Sequence, residues 1–485
     1  MNKDIRALEP TELWNNFADL NAVPRGSKKE ERVIQFMVDF GKKLNLDTVV
    51  DPVGNVIIKK PASKGMENRK TVVLQSHLDM VHQKNSDTNF NFDTEGIKMV
   101  IDGDWVRADG TTLGADNGLG VAAIMSVLAS KTIKHPPLEA LFTIDEETGM
   151  TGAKGLQANY LNGEILLNLD TEDDDEIDIG CAGGIDVSAE NTYNEVGAPV
   201  NSGGFSITVK GLKGGHSGMD IHKGLGNANK IMNRLLYETK EYIRVSEING
   251  GSLRNAIPRE SFATISVATA KKDAFIKKIN KIAKEIKTEQ STVDPNLEII
   301  ISEVATPERV MTTISQNTLL NAIYSAHNGV YRMSHDMKDL VETSNNVARV
   351  IIKDENIKIL CLTRSSVESS KFDLANALRA TFEMAGYSVT LSGSYPGWKP
   401  NVSSAVLKLL SETYEKMFNE KPDVVACHAG LECGILGTNY PDMDMISFGP
   451  TIQGAHSPDE KANIKSSQKF WKFLLTVLEN IPLKK

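Results

Sequence analysis

The chain has 485 residues, 40% of them apolar, and a net charge of −9, enough for about two to four domains with a sizeable core. The acidic balance and the lack of any Lys/Arg run argue against nucleic acid or an anionic membrane as partners, and no apolar run is long enough to span a bilayer. The opening Met1-Asn-Lys-Asp-Ile-Arg6 carries no apolar signal segment, and Cys181, Cys361, Cys427 and Cys433 are too scattered for a disulfide framework or a thiolate zinc site, so a cytoplasmic protein is expected.

Taken in order, Thr11 caps a first helix through Trp14. A second follows Ser27, with Val33, Phe36, Met37 and Phe40 at helical spacing. Residues 47–60 hold two short strands split by the turn Pro52-Val-Gly54-Asn55. Thr71 to Leu74 is a buried strand that ends in Gln75-Ser-His77-Leu-Asp79. Residues 83–112 are polar and broken, with a hairpin expected around Asp102-Gly103-Asp104. Gly114-Ala-Asp116-Asn117-Gly118 leads into a helix, Val121 to Leu128, that is apolar almost all round and therefore expected to be buried. Strands at Leu138–Ile144 and Ile165–Leu169 end in Asp145-Glu146-Glu147-Thr-Gly149 and in Asp170. Strands alternating with helices predict an α/β sheet. The acidic run Asp173 to Glu176 reads as a solvated loop.

From about Gly184 the texture changes. Ser206–Lys210 and Ala263–Val267 alternate like half-buried strands, with helices at 227–242 and 271–287. A similar order recurs across 320–390: a helix near 319–327, a strand at 357–362, a helix at 371–385 and a strand at 388–391. After Pro396-Gly397-Trp398-Lys-Pro400 the chain returns to α/β, with helices at 403–418 and 465–479 and strands near Val424 and Asp444. The expected fold is thus α/β: a catalytic domain (1–184 and 399–485) interrupted by an inserted α+β lid (185–398) of two tandem subunits. The Gly183-Gly184 pair and Pro396–Pro400 read as a double hinge between them.

Strand ends carry the chemistry. His77 and Asp79, two apart on an extended chain, point to one side. Asp116, Glu146, Glu147, Asp170 and His456 (in Gly449-Pro-Thr-Ile-Gln-Gly-Ala-His456-Ser-Pro458) stand at further strand ends. In an open α/β sheet these ends converge on one crevice. Mixed His and carboxylate ligands suit divalent zinc, cobalt or manganese. They are too many for one tetrahedral ion and enough for two ions about 3.5 Å apart that share a bridging carboxylate and activate a water. Glu146 and Glu147 can both reach such a centre only if the chain turns there; spacing alone leaves open which of them does what.

The order SHLDMV, GADNG, DEETGMTGA, NLDTE, GAHSPDE resembles the M20 di-metal peptidases in all five motifs, and the insert adds Gly214-Gly-His216-Ser-Gly218 and Asn255-Ala-Ile-Pro258. The doubled insert and His428-Ala-Gly-Leu-Glu432 look like the dipeptidase branch rather than a carboxypeptidase or aminoacylase. The resemblance implies one ion on His77, Asp116 and Asp170, and another on Asp116, Glu147 and His456. It implies that Asp79 orients His77, that Glu146 is the general base, and that the Asp116–Asn117 peptide is cis. It implies that His216 donates to the developing oxyanion and that Asn255 and Arg364 hold the substrate's backbone and C-terminal carboxylate. The expected activity is hydrolysis of unblocked dipeptides, Xaa-His types such as β-alanyl-histidine among them, by a metal-activated water. An N-acyl-amino-acid amidohydrolase or tripeptidase is the alternative, ahead of a non-catalytic metal-binding scaffold. Two zinc ions per chain (or cobalt or manganese) and a small peptide are the implied ligands. A homodimer is left open, as is whether His216 serves its own subunit's site.

Overall fold

The apolar run Val72-Val-Leu74 continues as a fully buried strand to His77 in a computed structural model that describes residues 2–484. Contacts divide the chain into two units. One holds the residues up to Gly180, Pro400–Ala426 and the residues from Leu431. The other holds Cys181–Lys399 and Cys427–Gly430.

The first unit is built on an eight-stranded sheet, in the order 47–50, 56–60, 138–143, 72–77, 165–168, 444–447, 176–181, 423–427. Its four central strands, Leu138–Thr143, Val72–His77, Ile165–Asn168 and Asp444–Ser447, run parallel. All but Asp444 at the start of the last are buried. That is why they read as continuous apolar runs: a strand covered on both faces has no polar side to alternate with. Their carboxyl ends fall at His77, Thr143, Asn168 and Ser447. The helix Ala115–Ala129 is buried at every position from Asn117 to Leu128, as its all-round apolar sequence requires. The hairpin at 102–104 forms between Met99–Asp102 and Trp105–Ala108. It gains Lys461–Asn463 and Ile452–Gln453 as further strands and so anchors the loop that carries His456. The acidic run is only partly a free loop. Asp174 pairs with Lys469 at 2.6 Å, and Glu176 begins the strand 176–181.

The second unit is a nine-stranded sheet in the order 298–304, 202–210, 261–268, 243–250, 341–353, 356–365, 183–192, 388–395, with 329–333 beside 341–353. The two tandem α+β subunits share this one sheet. They join where Ile248, Asn249 and Gly250 pair with Ile352, Ile351 and Val350. Helices Ala228–Thr239, Lys272–Glu289, Thr313–Ser325 and Glu368–Met384 contribute Leu235, Leu236, Phe275, Ile279, Leu319 and Phe382 to its core.

Of the strands that the sequence patterning did not mark, two in the second unit are informative. Gly183–Thr192 contains the glycine pair read as a hinge. In fact Gly184 pairs with both Arg364 and Tyr395 inside the sheet. A Cβ on Gly183 would lie 2.4 Å from the Gly397 nitrogen, and one on Gly184 2.7 Å from the Tyr395 ring. Those glycines permit close packing rather than bending. Trp398, in the expected linker, exchanges backbone hydrogen bonds of 2.9 Å with Cys181. Val341–Lys353 opens with Glu342-Thr-Ser-Asn-Asn346, a polar run, yet every residue from Val341 to Ala348 is buried. Its side chains are bonded instead of solvated. Asn345 Nδ2 donates to His327 O at 2.7 Å, Thr363 donates to Asn345 Oδ1 at 3.0 Å, and Asn346 Nδ2 donates to Arg254 O and Ala256 O at 3.1 and 2.8 Å. No helix among the described residues is long and apolar enough to cross a membrane.

Replacing the buried Asn346 by Ala removes two hydrogen bonds to half-buried carbonyls, a loss of about 1–2 kcal/mol. Urea unfolding of Asn346→Ala should show a lower midpoint, whereas Asn356→Ala on an exposed turn should stay within about 0.5 kcal/mol of the parent. Equal midpoints for the two variants would refute this account of the strand.

Candidate metal centre

Each chemistry-bearing side chain of the first unit stands on or just past a parallel strand end, at the start of a buried helix, or on the anchored 449–463 loop. His77 closes its strand, 1% exposed, and Asp79 follows, fully buried. His77 Nδ1 lies 3.4 Å from Asp79 Oδ1 and 3.2 Å from Asp79 O. The Asp79 carboxylate also accepts the backbone N–H groups of Glu146 and Glu147 at 3.0 and 3.3 Å and the Ser27 hydroxyl at 2.8 Å. One carboxylate therefore sets two neighbouring strand ends.

The chain does turn at the acidic pair. Asp145 and Met150 have φ of 53° and 51°, and the hydroxyls of Thr148 and Thr151 close on the Asp145 carboxylate. Glu146 and Glu147 can then both gather with His77. At the next loop the Asp116–Asn117 peptide is cis. Asp116 turns Oδ1 to His77 Nε2 at 3.1 Å and Oδ2 to His456 Nε2 at 3.2 Å. Asp170 Oδ1 is 3.5 Å from His77 Nε2, and Glu147 Oε2 is 2.9 Å from His456 Nε2.

These groups titrate as a packed cluster of carboxylates around two imidazoles must. Burial first, then the charges of Asp170, Glu432 and Glu147, push Glu146 well above the ordinary carboxylate range against the pull of His77. Against its own burial, hydrogen bonds from His456 and His77 hold Asp116 well below that range. Bonds to Asp116 and Glu147 raise His456 to about 11. Ligand atoms of His77, Asp116 and Asp170, and of Asp116, Glu147 and His456, lie within 4.8 Å of one another in each set. Two sets of one imidazole and two carboxylates, sharing a carboxylate that offers one oxygen to each, fit two divalent ions of borderline character.

Several neighbours were not among the site residues that the sequence marked, although Glu460 and Glu432 close two of its motifs. Arg25 is fully buried beside Asp79 and Asp116, Glu460 gathers backbone N–H groups ahead of Asp116, and Glu432 accepts from Gln75 Nε2 and Thr143 Oγ1, both at 2.6 Å. Burial pushes Glu432 up to about 8. Glu432 lies in the stretch that marks the dipeptidase branch, but nothing local says that its carboxyl is buried.

The second unit brings His216, Asn255 and Arg364 together. His216 pairs with Ala256, and Ser217 N donates to Asn255 O at 2.8 Å. His216 Nδ1 accepts from Gly218 N and Met219 N at 3.3 and 3.1 Å, which makes Nε2 the protonated nitrogen. That Nε2 is 3.4 Å from Arg364 Nη2. Arg364 is 4% exposed, donates Nη1 to the Tyr395 hydroxyl at 2.8 Å, and has no partner at Nε. His428, 6% exposed, meets the Ser344 hydroxyl at 2.8 Å. Burial, then the Arg364 charge, lowers His216 to about 4 and His428 to about 3.

The chain is similar to known peptidases. The model of peptidase family M20/M25/M40 matches residues 73–480. The cytosol non-specific dipeptidase of Escherichia coli (strain K12) is 45% identical over 483 residues, 99% of this chain and 100% of the relative. The crystal structure of aminoacylhistidine dipeptidase from Vibrio alginolyticus superposes with a TM-score of 0.93 at 45% identity, covering 99% of both chains. Aminopeptidase PepT from Bacillus cereus, 16% identical with a TM-score of 0.58 over 98% of this chain and 99% of its own, shares the fold alone. The chain belongs to peptidase family M20/M25/M40.

Proposed function

We propose that this protein is a metal-dependent dipeptidase acting on unblocked dipeptides, including Xaa-His types such as β-alanyl-histidine. The observation that carries the proposal is Asp116, whose two carboxylate oxygens face two different histidines. The names of the two relatives at 45% identity support the substrate class. His77, Asp116 and Asp170 would hold one divalent ion, and Asp116, Glu147 and His456 the other, with zinc favoured over cobalt or manganese. Bound there, the ions supply the Lewis acidity that makes water a nucleophile near neutral pH.

The chain's own groups do the rest. Asp79 orients His77 through Nδ1 and fixes the backbone of the acidic pair. Glu146, outside the two sets that share Asp116 although it also gathers with His77 and Glu147, accepts the proton of the attacking water and returns it to the leaving amine. His216, a neutral imidazole with its proton on Nε2 beside Arg364, donates to the oxyanion. Arg364 is a buried cation that forms no ion pair among the described residues, a state that calls for an external anion. The C-terminal carboxylate of a peptide suits its planar fork. Asn255, exposed beside them, binds the peptide backbone. The cytosolic name of the Escherichia coli relative supports a cytoplasmic location. The open edge of strand Glu298–Val304, with Ile300 and Val304 exposed, supports a homodimer, which light scattering would exclude by returning the monomer mass.

Histidine release from carnosine should stop with chelator and return with zinc, cobalt or manganese. Glu146→Gln should keep two ions and lose about 100- to 10,000-fold in kcat. Glu147→Gln should instead weaken one ion, with activity partly restored at high metal. Metal content and kcat measured side by side decide the matter, and the opposite pattern reverses the two roles.

His216 and His428 yield a pH prediction. Their folded pKa values lie below the ordinary 6.5, so the unfolded chain binds the extra protons. Their contribution to stability is intact above about pH 6.5 and is lost as pH falls towards about 4 for His216 and about 3 for His428. Imidazole nitrogen shifts should remain those of neutral rings down to about pH 5, and titration near pH 6.5 would contradict the burial argument.

A further inference from the structure

Arg25 lies in Pro24-Arg25-Gly26-Ser27, outside every motif of the family, yet its guanidinium is among the most completely buried polar groups of the first unit. Nη1 donates to Leu78 O and Asp79 O, both at 3.1 Å. Nη2 donates to Asn21 Oδ1 at 3.0 Å and to Gly114 O at 2.5 Å. One planar fork thus binds the loop after His77 and the turn before Asp116. Glu460 holds the same turn from the other side. Its carboxylate accepts from Leu113 N, Gly114 N, Ala115 N and Asp116 N at 2.7, 2.9, 2.7 and 3.3 Å. Glu460 is four residues past His456, so it links that loop as well. Gly114 has its carbonyl on Arg25 and its N–H on Glu460.

The glycines of Gly114-Ala-Asp116-Asn117-Gly118 also pack on this group, Gly114 with a φ of 69° besides. A Cβ on Gly114 or on Gly118 would meet Arg25 Nη2 at 2.5 or 2.7 Å. Both positions are kept bare where the guanidinium passes. The segment after Arg25 continues the contact: Ser27 donates to Asp79, and Glu30 accepts from Asp145 N at 3.1 Å, just ahead of the acidic pair.

We propose that Arg25 is a positioning residue for the metal centre, which with Glu460 clamps the turn carrying the shared carboxylate Asp116 between the His77 and His456 loops. The role belongs to the fork and not to the charge alone. Four acceptors on three segments need two planar NH₂ groups, and an ammonium cannot reach them all. The proposal rests on the reading of the cluster as a two-ion centre.

Cobalt titration of the full chain, followed by visible absorption and by metal analysis, tests it. The parent protein should bind two ions; failure there removes the metal reading itself. Arg25→Lys keeps the charge and loses the fork. It should bind at least one of the ions about 10- to 100-fold more weakly, as for other groups that orient ligands, with a changed cobalt spectrum. Glu460→Gln, which points an NH₂ group at backbone donors, should show the same change from the other side. Should neither fold, Asn21→Ala removes a single Nη2 acceptor and should shift affinity in the same direction by less. Parent-like affinity and spectrum in the variants that fold would overturn the proposal. So would a loss of apo-protein thermal stability that leaves the loaded spectrum intact, because that is packing without positioning.

Discussion

The first unit depends on keeping Asp79, Asp116, Glu146, Glu147 and Asp170 close together out of water. Such a cluster repels itself and is poorly solvated, so each carboxylate must be held by something else. Asp79 is held by backbone N–H groups and Ser27, Asp116 by two imidazoles, Asp170 by His77 and the Asn117 amide. Burial raises the pKa of Glu146, and that of Asp170 as well. The parallel sheet makes the cluster reachable, because its strands deliver their carboxyl ends to one side. The buried helix behind Asp116 and the glycines around it let the backbone come close enough to be gripped.

The second unit solves a different problem with the same chemistry. A polar strand, Glu342 to Asn346, runs through its interior, and its amides and hydroxyls are spent on the loops beside it. Asn346 holds the carbonyls on either side of Asn255, so the interior of the sheet sets the shape of an exposed loop. Around it Arg364 and His216 place donors 3.4 Å apart with no carboxylate between them.

Much of this was legible along the chain. Apolar runs ending near His77, Glu146 and Asp170 located parallel strands, and the side chains beyond them gather with His456 in the candidate ligand sets, because fully buried strands and metal ligands both restrict residue type strongly. The turn at Asp145 was required by two adjacent glutamates reaching one place. The strand Val341–Lys353 was not legible, since its polarity is satisfied by partners such as His327, Arg254 and Ala256 that lie far away in sequence. The glycine pair at 183–184 was misread because a glycine that avoids a clash and a glycine that bends look alike in sequence.

The sequence by itself determined the α/β class, the inserted α+β unit, the family and the residues able to ligate metal, for these rest on local periodicity and on side chains with few substitutes. Only the tertiary structure decided that Asp116 faces both histidines, that Glu432 and Arg25 are buried beside them, and that Arg25 and Glu460 share one turn. Those facts depend on which distant segments meet. A buried charge is legible only from the groups that surround it, and these come from positions as far apart as 25, 79, 114 and 460.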